Sequence, residues 1–274
     1  MRLGLPQLPQ FLDAQTDSQT INLSRIAHID IASAVAVCCL SQKADKTIPP
    51  TNGAVADFLE MAGTRAVVSP NESWSTTSRY LATVTLPDGT QANLLPRTLV
   101  PVLNMGFEQD WLTKHMQQVV ESGLALLGQA EVSKEAFHAG VGELCQNARE
   151  HSGVESSFVS VHLVGGYLTV AVGDDGVGIP AKLDGHADFS TDAECLELVL
   201  QDGASSKEKG GLGLVGLGRL VTETTADSRP GRITLLSGCG YATKNGAAPV
   251  RSMTVGGPWS GFPGTLAVIS LPVE

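Results

Sequence analysis

Hydrophobic and polar positions follow different patterns in the two halves of the chain. Over residues 21–65 short apolar runs alternate with polar ones, and the runs SAVAVCCL and NGAVADFLEMAG have helical spacing. Residues 1–20 are polar and rich in proline and glutamine, which is typical of a loosely held lead-in. The pattern therefore predicts a flexible segment at 1–20 and a small α/β domain at 21–104.

The second half of the chain predicts helices followed by a sheet. Apolar residues recur at three- and four-residue steps over residues 111–127, and a second helix is predicted from an N-cap at Ser133 to His151. FVSVHLV and YLTVAV then follow as strands of a hairpin, and ITLLSG, RSMTV and TLAVISL are also typical of strands. This order predicts an α+β sandwich over residues 105–274, with a mostly antiparallel sheet and helices on one face.

Composition places the chain among folded proteins and excludes several function classes. Its 274 residues are 42% apolar and 17% charged, which is enough to bury a core and excludes a disordered protein. A net charge of −10 argues against general affinity for nucleic acid or an anionic membrane, because phosphate backbones need a basic face. No apolar run approaches the roughly 20 residues that a membrane span needs.

Cysteine usage and the N-terminus indicate a cytoplasmic protein. The five cysteines are odd in number, form no CxxC pair and mostly lie in apolar segments, which favours reduced, buried thiols. Pro6 and Pro9 interrupt the region where a signal peptide needs an apolar run. We therefore expect the chain to remain in the cytoplasm.

Candidate chemistry first occurs in GELCQNAREHS, on the predicted helix that ends at His151. Glu143 and Asn147 are four residues apart and so stack on one helix surface. A helical wheel places small residues beside them, namely Ala136, Ala139 and Gly140, and assigns to the opposite, core-facing stripe Phe137, Val141, Leu144, Cys145 and Ala148. A carboxylate beside a carboxamide can contact a metal-bound phosphate and a water together. The alternative is an ordinary solvated helix face.

A second candidate is VAVGDDGVGIP, where a strand ends at Asp174. Gly176 and Gly178 allow the backbone to turn tightly beside a ligand. The carboxylate can accept a hydrogen bond from an exocyclic amine while the glycines admit a flat ring. The alternative is an ordinary Asp-Gly loop, and the spacing is not that of a calcium loop.

A third candidate is KEKGGLGLVGLGRL, in which Gly211, Gly213 and Gly216 match GxGxxG. A dinucleotide site would need a buried strand before these glycines, and the segment before them is polar. A P-loop is excluded because no GxxxxGK[ST] occurs. Glycines at a helix N-terminus still offer N–H groups to phosphate oxygens, and Lys207 and Lys209 add positive charge.

The order and spacing of these three segments are more specific than any one of them. ExxxN on a helix, DxGxG after a strand and GGLGL opening a helix together resemble the GHKL ATPase superfamily, over about residues 105–274. That superfamily includes gyrase, the heat-shock chaperone ATPase, histidine kinases and the anti-sigma-factor serine kinases. The resemblance implies a Bergerat-type α/β sandwich that binds ATP with Mg²⁺.

The resemblance also implies a role for each matching residue. Glu143 would be the general base, Asn147 would hold Mg²⁺, and Asp174 would bind the adenine amine. Further nucleotide contacts would come from the glycine-rich turns, the two lysines and a late threonine, namely Gly176, Gly178, Lys207, Lys209, Gly211, Leu212, Gly213, Leu214 and Thr265. A mobile lid would span about residues 181–210.

Two finer resemblances concern the sub-branch and the N-terminal region. The run Glu143-xxx-Asn147-xxx-His151 is similar to the anti-sigma-factor serine kinases, whereas typical histidine kinases carry Asn at the position of Glu143. None of the six histidines is followed by Asp or Glu, as a phospho-acceptor histidine would be. The segment PPTNGAVADFLEMAG resembles the STAS-like domains that partner such kinases.

These resemblances imply an Mg-ATP-binding regulatory protein of signal transduction, in which lid closure controls the binding of a protein partner. Attack by water on ATP would make it an ATPase, and attack by a partner's serine or threonine would make it a kinase. The alternatives are an ATP- or ADP-sensing interaction module with negligible catalysis and a structural protein that merely retains the fold. The sequence leaves open the partner, a homodimer and the role of residues 21–104.

Overall fold

The computed structural model describes most of the 274-residue chain. The described residues are 2–15, 19–62, 64, 82–85, 91–94, 98–104, 134–154, 157–201, 213–223, 225–226, 229–255 and 261–273. The helix predicted over residues 111–127 lies outside them, as does the predicted N-cap Ser133.

Seven α-helices, a short 3-10 helix (Leu5–Gln7) and fifteen strands are found in these residues. The helices are α1 (Leu8–Asp13), α2 (Ile31–Ser41), α3 (Gly53–Met61), α4 (Lys134–His151), α5 (Ile179–Leu183), α6 (Asp192–Gln201) and α7 (Gly213–Glu223). The strands are β1 (Arg2–Leu3), β2 (Thr20–Asn22), β3 (His28–Ile29), β4 (Lys46–Ile48), β5 (Ala82–Thr85), β6 (Gln91–Leu94), β7 (Thr98–Asn104), β8 (Ser157–Val164), β9 (Tyr167–Asp174), β10 (Thr225–Ala226), β11 (Arg229–Pro230), β12 (Arg232–Gly238), β13 (Gly240–Asn245), β14 (Arg251–Thr254) and β15 (Phe262–Pro272).

The central sheet has seven strands in the order β14-β13-β12-β15-β9-β8-β7, and all neighbours in it are antiparallel. Its long central strands pair in a register that places Asp174 opposite Thr265, and Thr265 opposite Ser237. These three residues therefore lie in a row across β9, β15 and β12 at one end of the sheet. The hairpin predicted between β8 and β9 turns at Gly165 and Gly166, both at positive φ.

One face of this sheet is covered by four helices, namely α4, α5, α6 and α7. The predicted core stripe of α4 is confirmed, since its five residues are all buried there: Phe137, Val141, Leu144, Cys145 and Ala148. The helical wheel placed Ala136 and Gly140 on the side opposite the core, and this prediction is wrong because both residues are buried as well. A Cβ on Gly140 would overlap Ile269 and lie 3.5 Å from Leu217, because α4 packs against α7 as well as against the sheet. The helix thus has two buried sides.

The opposite face of the sheet is covered by the N-terminal region. Helix α2 packs against β8, β9 and β15, and every residue from Ile31 to Leu40 is buried. Asp30 caps this helix, because its Oδ1 accepts from the backbone N–H of Ser33 at 2.8 Å. The sheet is therefore sandwiched between two hydrophobic clusters, one around α4 and the other around α2.

The N-terminal region contributes two further elements to the packed structure. Within the lead-in expected at residues 1–20, α1 forms and buries Leu8, Phe11 and Leu12, because its apolar residues share a helix face. Strand β7, from the region predicted to form a small α/β domain, pairs with β8 at the edge of the seven-stranded sheet. Residues 21–104 thus contribute both a strand and a covering layer to the same sheet.

The predicted α+β architecture with a mostly antiparallel sheet is confirmed, and the structure adds the helices on the second face. The stretch 181–210, where the resemblance implies a mobile lid, contains α6. Five apolar residues of α6 are buried in the core, which accounts for the helix: Ala193, Cys195, Leu196, Val199 and Leu200. Among the described residues no helix has the length and apolar character needed to cross a membrane.

Close contact between α2 and β9 generates a stability prediction. A Cβ on Gly173 would lie 2.7 Å from Cys39 Sγ and 3.0 Å from Val35 Cγ1. We expect Gly173→Ala to lower the free energy of unfolding by about 1–3 kcal/mol, because the added methyl overpacks this interface. Urea unfolding followed by circular dichroism measures the change.

The matched control is Gly53→Ala, since a Cβ at Gly53 meets nothing within 4 Å. In the double variant Gly173→Ala/Cys39→Ala, the missing sulfur makes room for the new methyl. The free energy of unfolding lost in the double variant should therefore be smaller than the sum of the losses in the two single variants. Strictly additive costs would show that β9 and α2 do not meet at this point.

Candidate functional site

Helix α4 presents Glu143 and Asn147 together. Both side chains are half-buried, and Asn147 Nδ2 donates to Glu143 Oε1 at 3.1 Å. A carboxylate only accepts, so this bond fixes which end of the amide faces Glu143 and leaves the Oδ1 of Asn147 to face other groups. The predicted pairing of a carboxylate and a carboxamide on one surface is present.

Asp174 ends β9 and is 5% exposed. Burial raises the pKa of its carboxyl from 3.8 to about 7; the backbone N–H groups of Gly176 and Thr265 oppose this rise, and the neighbouring charge of Asp175 adds to it. The Oδ1 of Asp174 accepts from the N–H of Gly176 at 2.9 Å. The protein therefore holds a buried carboxylate that is close to half ionised at neutral pH.

The turn after Asp174 is held tightly between two elements. On one side the N–H of Val177 donates to the carbonyl of Ser152, just past the end of α4, at 3.0 Å, and a Cβ on Gly176 would overlap that carbonyl. On the other side Gly178 has a φ of +79°, and a Cβ there would lie 2.7 Å from Ser237 Oγ. Both predicted glycines are thus positions where a side chain would not fit.

Ser237 is a residue of this region that sequence reasoning missed. Its fully buried hydroxyl donates to the carbonyl of Gly264 at 2.6 Å and accepts from the N–H of Ile179 at 2.9 Å. The Oγ1 of Thr265 lies 3.2 Å from the same hydroxyl oxygen. Ser237 therefore ties the glycine turn to Thr265. The available signal was a serine directly after two leucines in the run ITLLSG, where a strand ends at a glycine.

An ion pair between Lys43 and Asp175 is a second feature of this region that sequence reasoning missed. Lys43 Nζ lies 3.1 Å from Asp175 Oδ2, and the side chain of Asp175 is only 10% exposed. Lys43 follows α2, so the N-terminal region contacts the turn that contains the predicted ligand-binding glycines. No local pattern in the sequence connects these two residues.

The third predicted segment is described only in part. Gly213 begins α7 at a φ of +58°, and Leu214 is half-buried and packs against the core. The N-terminus of this helix offers backbone N–H groups of the kind that bind phosphate oxygens. The other predicted contacts of this segment lie outside the described residues: Lys207, Lys209, Gly211 and Leu212.

The donor set fits a magnesium ion shared with phosphates. Over the described ranges, no group of three or more His, Cys, Asp or Glu side chains is arranged to hold a metal ion. Mg²⁺ in nucleotide sites is usually held by one or two protein oxygens, with phosphate oxygens and waters completing its shell. The Oδ1 of Asn147 would serve as such a single oxygen.

The comparisons with curated proteins and with solved structures gave no match. Residues 133–259 match the family described as Histidine kinase-, DNA gyrase B-, and HSP90-like ATPase. This match covers a little under half of the chain, and it supports a GHKL-type ATPase domain over these residues and ATP binding.

Proposed function

We propose that this protein is an Mg-ATP-dependent regulator that hydrolyses ATP or phosphorylates a serine or threonine of a protein partner. ATP would bind between α4, the turn at 175–178 and the N-terminus of α7. Closure of the lid that the resemblance implies over about residues 181–210 would control partner binding. The similarity of Glu143-xxx-Asn147-xxx-His151 to the anti-sigma-factor serine kinases supports a protein partner.

The observation that carries the proposal is the buried carboxylate of Asp174. A charged side chain that is 5% exposed is costly unless it has a function or full pairing. Its backbone donors, Gly176 and Thr265, leave part of its accepting capacity unused. An exocyclic amine of adenine is a donor of the required kind.

Glu143 and Asn147 supply the chemistry at the phosphate end. Bound Mg²⁺ would neutralise negative charge on the β- and γ-phosphates. The Oδ1 of Asn147 would hold that ion, while its Nδ2 keeps the Glu143 carboxylate in place through the 3.1 Å bond. Glu143 would orient or deprotonate the attacking oxygen, either of water or of a partner hydroxyl.

Incubation of the pure protein with radiolabelled Mg-ATP, with and without candidate partner proteins, tests this function. Release of labelled phosphate supports an ATPase, and a labelled partner supports a kinase. Binding without either product would contradict catalysis and indicate a nucleotide sensor. Absence of any thermal shift with Mg-ATP would contradict the proposed site altogether.

Two substitutions separate binding from turnover. Asp174→Asn should abolish detectable nucleotide binding, because an amide nitrogen in place of a carboxylate oxygen opposes the donors that surround it. Glu143→Ala should preserve binding and remove turnover, because Glu143 acts on the attacking group. Isothermal titration calorimetry and phosphate release measure the two effects.

Asp13→Asn is the matched control, since Asp13 is exposed at the end of α1 and should behave as wild type. Undiminished affinity in Asp174→Asn would refute the assignment of Asp174. Retained turnover in Glu143→Ala would refute the role of Glu143.

The raised pKa of Asp174 predicts pH-dependent binding. The ionised carboxylate is the better acceptor for an amine, and it is lost as pH falls through about 7. Apparent affinity should therefore fall about tenfold from pH 8 to pH 6, following the ionised fraction. Adenosine, which has no phosphate to titrate, should show the same dependence in calorimetry. A flat profile for adenosine would contradict the role of Asp174.

Ser237→Ala should weaken nucleotide binding about tenfold, because it removes the hydroxyl that holds Gly264, Ile179 and Thr265 in place. Ser270→Ala is the control: this serine lies on the same strand as Thr265, and its hydroxyl is 3.1 Å from Thr169 at the far end of β9. Equal affinities in the two variants, measured by calorimetry, would show that Ser237 does not position the site.

A further inference from the structure

The N-terminal region reaches the proposed nucleotide site through the side chain of Lys43. The ammonium group lies 3.1 Å from Asp175 Oδ2, and Asp175 directly follows the proposed adenine-binding Asp174. Lys43 is about half exposed, whereas Asp175 is nearly buried. A cation from the first 50 residues therefore balances a buried carboxylate of the ATPase domain.

The position of Lys43 is fixed by helix α2. Its backbone N–H donates to the carbonyl of Leu40 at 3.0 Å, in the turn that follows α2. The helix is itself held against β9, because Cys39 and Val35 pack over Gly173. A lysine past the C-terminal end of a helix is also favoured by the helix dipole. Packing of α2 on the sheet thus delivers the ammonium group to the end of β9.

The titratable groups near Asp174 lie on its own turn and on the α2 side of the sheet. Asp175 is on the same turn, and Lys43 balances it from the α2 side. Cys39, on α2, is also near Asp174, but burial raises the pKa of its thiol well above the usual value, so it is neutral. The register neighbours of Asp174 on β8 and β15 are Ser157 and Thr265, which carry no charge. Lys43 is thus the cation that balances this pair in the described part of the chain.

We propose that Lys43 is a positioning residue for adenine recognition: its ammonium group neutralises Asp175 and so allows Asp174 to carry the charge that binds the amine. This inference rests on the proposed function. It makes the N-terminal region part of the nucleotide site. Without Lys43, the unbalanced negative charge of Asp175 would oppose ionisation of Asp174 more strongly, and Asp174 would retain its proton to higher pH.

Lys43→Met tests the proposal through the pH profile of adenosine and ATP binding. The midpoint of the profile should move up by about one unit, because an opposite charge close to the pair has been removed. Affinity at pH 7 should then fall about fivefold, and it should return to nearly the wild-type value at pH 9. Lys43→Arg keeps the charge and should retain the wild-type profile.

Lys46→Met is the matched control, because it removes an exposed positive charge from β4 in the same region. If the profiles of Lys43→Met, Lys46→Met and the wild type coincide, the proposal is wrong. If Lys43→Met fails to recover affinity at pH 9, Lys43 has a purely structural role and the proposal is also overturned.

A readout without nucleotide keeps this proposal separable from the proposed function. Carboxyl carbon NMR of the nucleotide-free protein follows the titration of Asp174 directly. An upward shift in Lys43→Met, absent in Lys46→Met, supports the electrostatic link even if no nucleotide binds to the wild type. In that case the proposed function alone fails, whereas an unshifted titration rejects the link.

Discussion

A carboxylate buried at the end of a central strand is the constraint on which the rest of this site depends. Desolvation works against the charge of Asp174, and the pKa of about 7 shows that its two backbone donors, Gly176 and Thr265, offset that cost only in part. Those donors reach the carboxylate because the chain turns within two residues and because β15 pairs in register at Thr265. The glycine turn, Ser237 and the ion pair of Asp175 all serve this one group.

The site also depends on both faces of the sheet. Helix α4 lies on one face and meets the glycine turn through the carbonyl of Ser152. Helix α2 lies on the other face and meets the same strand at Gly173, one residue before Asp174. A shift of either helix would therefore move the end of β9. The N-terminal region and the part of the chain that matches the ATPase family therefore pack closely together at this point.

The features that could be predicted from the sequence are those set by local periodicity and short spacing. The core stripe of α4, the β8–β9 hairpin and the proximity of Glu143 to Asn147 all follow from repeats of two to four residues. The second buried side of α4 at Gly140 was missed because it depends on α7, about 75 residues later. The pair of Lys43 and Asp175 joins the segment after α2 to the turn after β9, and no local pattern specifies a contact between residues so far apart in the chain.

The arrangement at Asp174 also explains why an amine is the group that this site would select. A carboxylate has about four accepting positions, and the backbone donors Gly176 and Thr265 occupy part of them. A ligand that brings an N–H group supplies a missing donor and stabilises the charge, whereas a ligand with a carbonyl at that position would leave two acceptors facing each other. A buried group left unpaired by the wrong ligand discriminates more strongly than lost apolar contact. The free-energy cost of burying Asp174 in the free protein is therefore the reason why the site would select a ligand with an N–H donor.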